Sequence, residues 1–188
     1  RPVILAADNN RNPLCVGLLQ IDAGKLQQFA EITLRGGSWR GLAEAVHARL
    51  GGKAPVGMYL CGDADLRGKI HDTETSWGAY QAIAEHLAVL WPGLTVELRV
   101  PRANPLVVSR LEAANRMCCN ARGERRFLVD PSCRQAIMDR EQVRLDDNGG
   151  IDKRHDHDRT HHSDGTDYAI CALFPTGHLR QAGTPQIA

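Results

Sequence analysis

The strongest constraint on the fold lies in the first thirteen residues. A continuous apolar run, Val3-Ile4-Leu5-Ala6-Ala7, stops at Asp8, and Asn9-Asn10-Arg11-Asn12-Pro13 then reads as a turn. So short a run bounded by a turn is a strand, which puts Asp8 at a strand end. Leu14 to Ile21 and Gln28 to Leu34 read as two more strands joined by the Asp22-Ala23-Gly24-Lys25 turn, so the sheet begins antiparallel. Ser38 is placed to cap a helix in which Leu42, Ala45, Val46 and Leu50 recur at helical spacing, and Gly51-Gly52 ends it. Val56 to Cys61 is a buried strand that stops at Gly62-Asp63, so a second acid closes a strand.

Helices and strands then alternate. A helix from about Ser76 to Trp91 carries Trp77, Tyr80, Ile83, Ala84, Leu87, Ala88 and Trp91 on one face, and Leu94, Val96, Leu98 and Val100 alternate as a strand. A helix from Pro105 to about Cys119 follows, with Val107, Leu111, Ala114 and Cys118 inward. Phe127 to Val129 and Pro131 to Asp139 read as a short strand and helix, and Leu145 to Arg159 as a polar loop. His161 to Leu173 reads as a last helix burying Tyr168, Cys171 and Ala172. Three strands followed by helix-strand-helix-strand-helix is the order of a ribonuclease H-like mixed α/β sheet flanked by helices, although periodicity alone also fits other mixed folds. The expectation is one such domain over residues 1–173 and a C-terminal tail at 174–188.

With 43% hydrophobic and 24% charged residues the chain is composed as a globular protein, neither disordered nor fibrous. The apolar stretch Ala79 to Leu90 is broken by Gln81, Glu85 and His86, so it does not read as a membrane span. The Arg1-Pro2-Val3 start reads as a piece of a longer chain. Six cysteines without a CxxC pair, two of them adjacent at 118 and 119, fit a reducing cytoplasm better than a disulfide framework.

Net charge is +1, but it is unevenly spread. Arg99 to Arg126 holds seven arginines against Glu112 and Glu124, whereas Asp139 to Asp167 holds nine acids against five Lys or Arg. A basic track beside an acidic metal site is one reading, and two differently solvated faces is the other.

Asp8 and Asp63 end strands, and Asp164 falls on the last helix, which in this fold packs across those ends. Converging carboxylates are hard oxygen donors suited to Mg²⁺ or Mn²⁺. Two such ions about 3.5–4 Å apart can activate water and stabilise the departing oxygen in phosphodiester hydrolysis, with no protein nucleophile. Taken singly, each acid is as well explained as a turn or surface residue.

The surrounding words resemble the nuclease domain of tailed-bacteriophage terminase large subunits, from Val3 to Ala172. Asp8-Asn9-Asn10-Arg11-Asn12-Pro13 resembles that family's first motif, and Tyr59-Leu60-Cys61-Gly62-Asp63-Ala64-Asp65 its strand-Gly-Asp motif. Asn104-Pro105, Arg110 and Asn115 match a proline-led helix, and Asp130-Pro131-Ser132-Cys133 a motif before a short helix. Asp152-Lys153 and then Thr160-His161-His162-Ser163-Asp164-Gly165-Thr166-Asp167-Tyr168 resemble the family's Thr-His-x-Ser-Asp-(Ala/Gly)-x-x-Tyr ending, with His162 where a small or apolar residue is common.

The resemblance implies a metal-dependent DNA endonuclease with Asp8, Asp63 and Asp164 as ligands of two divalent ions, Mg²⁺ or Mn²⁺. It makes His161 a further catalytic residue, one helical turn before Asp164. Asp65 and Asp167 are weaker candidates, for which surface roles are the expectation. Arg102, Lys153, Arg154 and Arg110 are the candidate DNA contacts, with a structural pairing to sheet acids equally open for Arg110 and Arg116. Partners implied are double-stranded DNA, an ATPase domain on the same full-length chain, a portal protein and a small terminase subunit, in the cytoplasm of an infected bacterial host and away from membranes. No GxxxxGK[ST] phosphate loop occurs in these residues, so the motor is expected elsewhere.

Other readings remain. His155, His157, His161 and His162 invite a zinc site, but they are interleaved with acids and lack a Cys pair. A Holliday-junction resolvase or transposase core would use the same acid triad. A DNA- or portal-docking module would carry the acids as surface charge.

Overall fold

The computed structural model describes residues 1–8, 12–64, 78–146, 151–152 and 159–175. Its centre is a six-stranded mixed sheet. β1 (Val3–Asp8) pairs antiparallel with β2 (Leu14–Asp22), which pairs antiparallel with β3 (Lys25–Leu34). On the other side of β1, β4 (Met58–Gly62) and then β5 (Val96–Leu98) add in parallel. The short β6 (Phe127–Val129) lies parallel to the far edge of β3. The α/β class and the ribonuclease H-like order expected from the sequence are what the chain forms.

Local chemistry explains the turns and caps. Ala23 and Gly24 both adopt positive φ, 47° and 73°, as the tight β2–β3 hairpin requires. Ser38 caps α1 (Trp39–Arg49), its Oγ accepting from the Gly41 N–H at 3.1 Å.

Two apolar layers cover the sheet. Val3, Leu5 and Ala7 of β1 face α1 and α2 (Gly78–Leu90), against Leu42, Val46, Tyr80, Ile83 and Leu87. Ile4 and Ala6 face the opposite way, toward α3 (Val107–Cys118) and α5 (His161–Leu173). Strand alternation therefore turns Asp8 to the α5 side. Between Leu18↔Ala30 and Leu19↔Gln28 the register slips by one residue at Phe29. The slip reverses the alternation in β3, so Ala30 and Ile32 face α1 and α2 while Leu26 and Gln28 face α5.

Several expectations shift. The fourth strand starts at Met58, leaving Val56 exposed, and the fifth is confined to Val96–Leu98. Ser76 and Trp77 lie outside the described residues, and Ala88 of α2 is exposed. The third helix buries Arg110, Ala113, Ala114 and Met117 with Cys118 half-buried beside them, not Val107 and Leu111, because small alanines let it sit close to α5 while Arg110 reaches a buried acid. The fourth helix, α4, spans Arg134–Gln142, later than expected. In the expected polar loop, Leu145 and Ile151 form an antiparallel bridge. The six cysteines are free thiols, and no described helix is long and apolar enough to cross a membrane.

Candidate active site

Asp8 and Asp63 leave neighbouring parallel strands side by side, because Ala7 pairs with Gly62 and each acid is the next residue. The row continues across the sheet, with Asp8 opposite Cys15 and Cys15 opposite Thr33. Helix α5 lies across this row. A Cβ on Gly165 would come within 2.9 Å of the Ala6 carbonyl oxygen and 3.0 Å of the Asp8 nitrogen, so the helix rests backbone to backbone on the end of β1. That contact brings Asp164 and His161 to the strand end that carries Asp8.

Each carboxylate meets a protein partner. His161 Nδ1 lies 2.7 Å from Asp8 Oδ2. Asp164 Oδ1 lies 2.8 Å from Arg110 Nη2, and the Arg110 guanidinium also stacks 4.4 Å above the Tyr168 ring. Asn104 spans the loop after β4, its Nδ2 donating to Asp63 Oδ1 at 2.6 Å and its Oδ1 accepting from the Ala64 N–H at 2.8 Å. The Tyr80 hydroxyl donates to the Asp63 carbonyl at 2.9 Å.

The two tyrosines sense the acids. Burial pushes the Tyr168 phenol up, Arg110 pulls it down, and Asp63, Asp164 and Asp8 push it up again. Tyr80 is raised by burial and then by Asp63 and Asp8. Asp63, Asp164 and Asp8 thus all disfavour the charged form of Tyr168.

A second tier fixes α5. Thr160, just before it, sits at φ 97° and makes no side-chain cap, an unusual conformation for a β-branched residue. The capping acceptor comes instead from α4: Asp139, 2% exposed, accepts from the His162 and Ser163 N–H groups at 3.0 and 3.2 Å. The next residue, Arg140, donates to the Ser163 carbonyl at 3.4 Å and pairs with Asp167. Thr166 Oγ1 donates to the His162 carbonyl at 2.9 Å and lies 3.3 Å from Gln28 Oε1, and His162 Nε2 lies 2.8 Å from Thr33 Oγ1.

Asp8, Asp63, Asp164 and His161 thus lie at one end of the sheet, with Asp8, Asp164 and His161 buried. Asp167, expected at the surface, is 1% exposed and pairs with half-buried Arg140. Arg110, offered as a DNA contact or as a partner of sheet acids, is buried against Asp164, an acid of helix α5. Arg116 instead pairs loosely with Glu112 on the surface of α3, at 3.8 Å. Arg102 is exposed in a bend before α3. Lys153, Arg154, Asp65, His155 and His157 lie outside the described residues.

Sequence reasoning overlooked Asp139, Arg140, Asn104 as a site residue, and Thr33. For the first two no sequence signal existed, because Asp139-Arg140 near the end of a short polar helix reads as surface charge.

As a donor set, three carboxylates at one sheet end suit hard divalent cations, and the burial of Asp8 and Asp164 would strengthen such binding. Among the described residues, however, no three His, Cys, Asp or Glu side chains are gathered as a ready ligand set. The carboxylates are turned onto Arg110, His161 and Asn104.

No protein-family model matches this chain, and no curated protein does. Solved structures do. The chain superposes on the P22 large terminase nuclease domain with a TM-score of 0.59 over 90% of this chain and 78% of that one, at 16% identity. It superposes on the large terminase of a thermophilic bacteriophage, solved with ADP, with a TM-score of 0.60. The fold is that of terminase nuclease domains. Identity to the thermophilic phage's protein is 14%, over 93% of this chain but 40% of that protein's length, so this fold accounts for less than half of it. A third structure with the terminase nuclease fold, from bacteriophage SPP1 with bound manganese, is matched at a TM-score of 0.52 and 16% identity, over 90% of this chain and 85% of that one.

Proposed function

We propose that this chain is a metal-dependent DNA endonuclease domain of a viral DNA-packaging terminase, hydrolysing phosphodiester bonds of concatemeric double-stranded DNA. The observation that carries the reading is the placement of Asp8 and Asp63 at adjoining strand ends with Asp164 on the α5 turn that rests on β1, in a fold shared with terminase nucleases. The burial of Asp8 and Asp164, 7% and 5% exposed, favours it over a docking module with acids as surface charge.

Asp8, Asp63 and Asp164 would hold two divalent cations, Mg²⁺ or Mn²⁺, as the manganese in the SPP1 structure supports. Bound there, divalent cations supply activation of the attacking water and neutralise charge on the phosphoryl oxygens. His161 orients Asp8 and holds a proton against it. Asn104 fixes Asp63 and the loop behind it, so the carboxylate cannot swing away from its neighbour. Tyr80, buried, anchors the loop that carries Asp63 through the Asp63 carbonyl, and Tyr168 backs the Arg110 guanidinium. Arg102, exposed two residues before Asn104, takes a phosphate of the DNA backbone without reading sequence, and Lys153 and Arg154 are assigned the same work. An ATPase domain on the same full-length chain, a portal protein and a small terminase subunit complete the proposed machine, acting in the host cytoplasm. The ADP complex of the thermophilic phage's large terminase supports the first of these partners.

The deciding assay is incubation of supercoiled plasmid with the chain. Nicking and linearisation are expected in millimolar Mg²⁺ or Mn²⁺, stopped by chelator and absent in Asp8→Asn. Cleavage by a folded Asp8→Asn protein at the parent's rate overturns the assignment.

A further inference from the structure

Arg110 is held against the candidate site and already occupies one of its carboxylates. It is 4% exposed, its Nη2 is 2.8 Å from Asp164 Oδ1, and its guanidinium lies over Tyr168 at 4.4 Å. Among the described residues its Nε has no hydrogen-bond partner, and its contact with Asp164 Oδ1 is an ion pair without hydrogen-bond alignment. Arginine stays charged at any working pH. A buried guanidinium is tolerable only against an anion or an aromatic face, and this one has both.

The same carboxylate cannot serve two cations equally. A divalent ion on Asp164 would sit within a few ångströms of the Arg110 charge, in a buried setting where like charges repel far more than in water. The aromatic face offers the guanidinium a second resting place that does not use the carboxylate. We propose that Arg110 is the built-in counter-ion of the metal-free site, competing with the divalent cation for Asp164 and yielding it when the cation binds. The inference rests on the reading of Asp164 as a metal ligand and adds a regulatory element to it. Arg110 stabilises the fold before metal arrives and holds metal affinity below that of an unopposed carboxylate cluster. The competing possibility is that Arg110 aims Asp164 at the metal, and the two predict opposite signs.

Manganese binding, read from the electron paramagnetic resonance signal of free Mn²⁺, separates them. Arg110→Met keeps the length and the contact with Tyr168 but removes the charge. Its expected behaviour is a lower metal-free melting temperature, Mn²⁺ affinity raised by about tenfold or more, and a larger Mn²⁺-induced rise in melting temperature. Arg110→Lys, which keeps the charge, should bind Mn²⁺ near the parent's affinity. Equal or weaker Mn²⁺ binding by a folded Arg110→Met protein overturns the competition and makes Arg110 a positioning residue.

A measurement on the unaltered chain stands beside the variants. The Arg110 Nε–Hε resonance in the labelled parent should move during a Mg²⁺ titration and saturate with it, whereas a resonance that stays fixed while metal binds refutes the exchange. If the parent binds neither Mn²⁺ nor Mg²⁺, the metal-site reading itself fails and the inference with it, an outcome distinct from binding without exchange.

Discussion

Gly165 rests on the backbone of Asp8 so closely that a single added methyl group would meet the Asp8 nitrogen at 3.0 Å and the Ala6 carbonyl oxygen at 2.9 Å. Both obstacles are main-chain atoms of a central strand, which cannot move aside as a side-chain tip could. In Gly165→Ala the helix must lift by a few tenths of an ångström, at a cost of about 1–3 kcal/mol. Urea unfolding should show that loss, and plasmid cleavage should fall further than stability alone explains, because Asp164 and His161 move with the helix. Unchanged unfolding and cleavage would mean that the contact is not tight.

Asp139 is expected to matter as an acceptor more than as a charge. Asp139→Ala leaves two N–H groups of α5 without it and should cost about 1–2 kcal/mol. Asp139→Asn keeps an acceptor oxygen and should cost clearly less. Burial raises the Asp139 carboxyl above its ordinary range, with the Ser163 and Thr160 N–H groups pulling it back. A carboxyl raised in the native state favours folding below its unfolded value, and that contribution is lost as pH rises through the native value. The gap in stability between Asp139→Asn and the parent should therefore shift in favour of the Asn variant as pH climbs from about 4 toward neutrality, read by thermal melts across that range.

The pair of half-buried Arg140 with buried Asp167 should show strong coupling. Burial works against the Arg140 charge, but Asp167 more than offsets it and holds the guanidinium above its usual range. Arg140→Met strands a carboxylate that is 1% exposed and should cost about 3–5 kcal/mol, whereas Arg140→Met with Asp167→Leu should recover much of the loss. Additive losses in the double-mutant cycle would show that the two charges do not depend on each other.

Arg102 is the exposed arginine assigned to the DNA backbone. Arg102→Ala should weaken DNA binding about equally for all sequences and lower the slope of log affinity against log salt by about 1. The melting temperature should stay within about 1 °C of the parent, since the residue lies outside the core. A variant with unaltered salt slope would remove Arg102 from the interface.

How much of this was legible beforehand varies by residue. Asp8 and Asp63 could be placed at strand ends because an apolar run that stops at an acid is a local signal. Ser38 and the Ala23-Gly24 turn were legible for the same reason. The phase of α3 was not: Val107 and Leu111 look like its buried face, yet Arg110, Ala113 and Ala114 turn inward, because close packing on α5 and a waiting carboxylate outweigh side-chain hydrophobicity. Asp167 and Asp139 misled in the same manner, since a charge is buried only when a distant partner exists to receive it.

The sequence by itself determined the order of strands and helices, the strand-end position of two acids and the helical position of a third, because these depend on near neighbours in the chain. Only the tertiary structure decided which partner each charge would take: His161 for Asp8, Asn104 for Asp63, Arg110 for Asp164, Arg140 for Asp167. Those choices join residues 27 to 153 positions apart, and they follow from a sheet register and a glycine contact that no local pattern encodes.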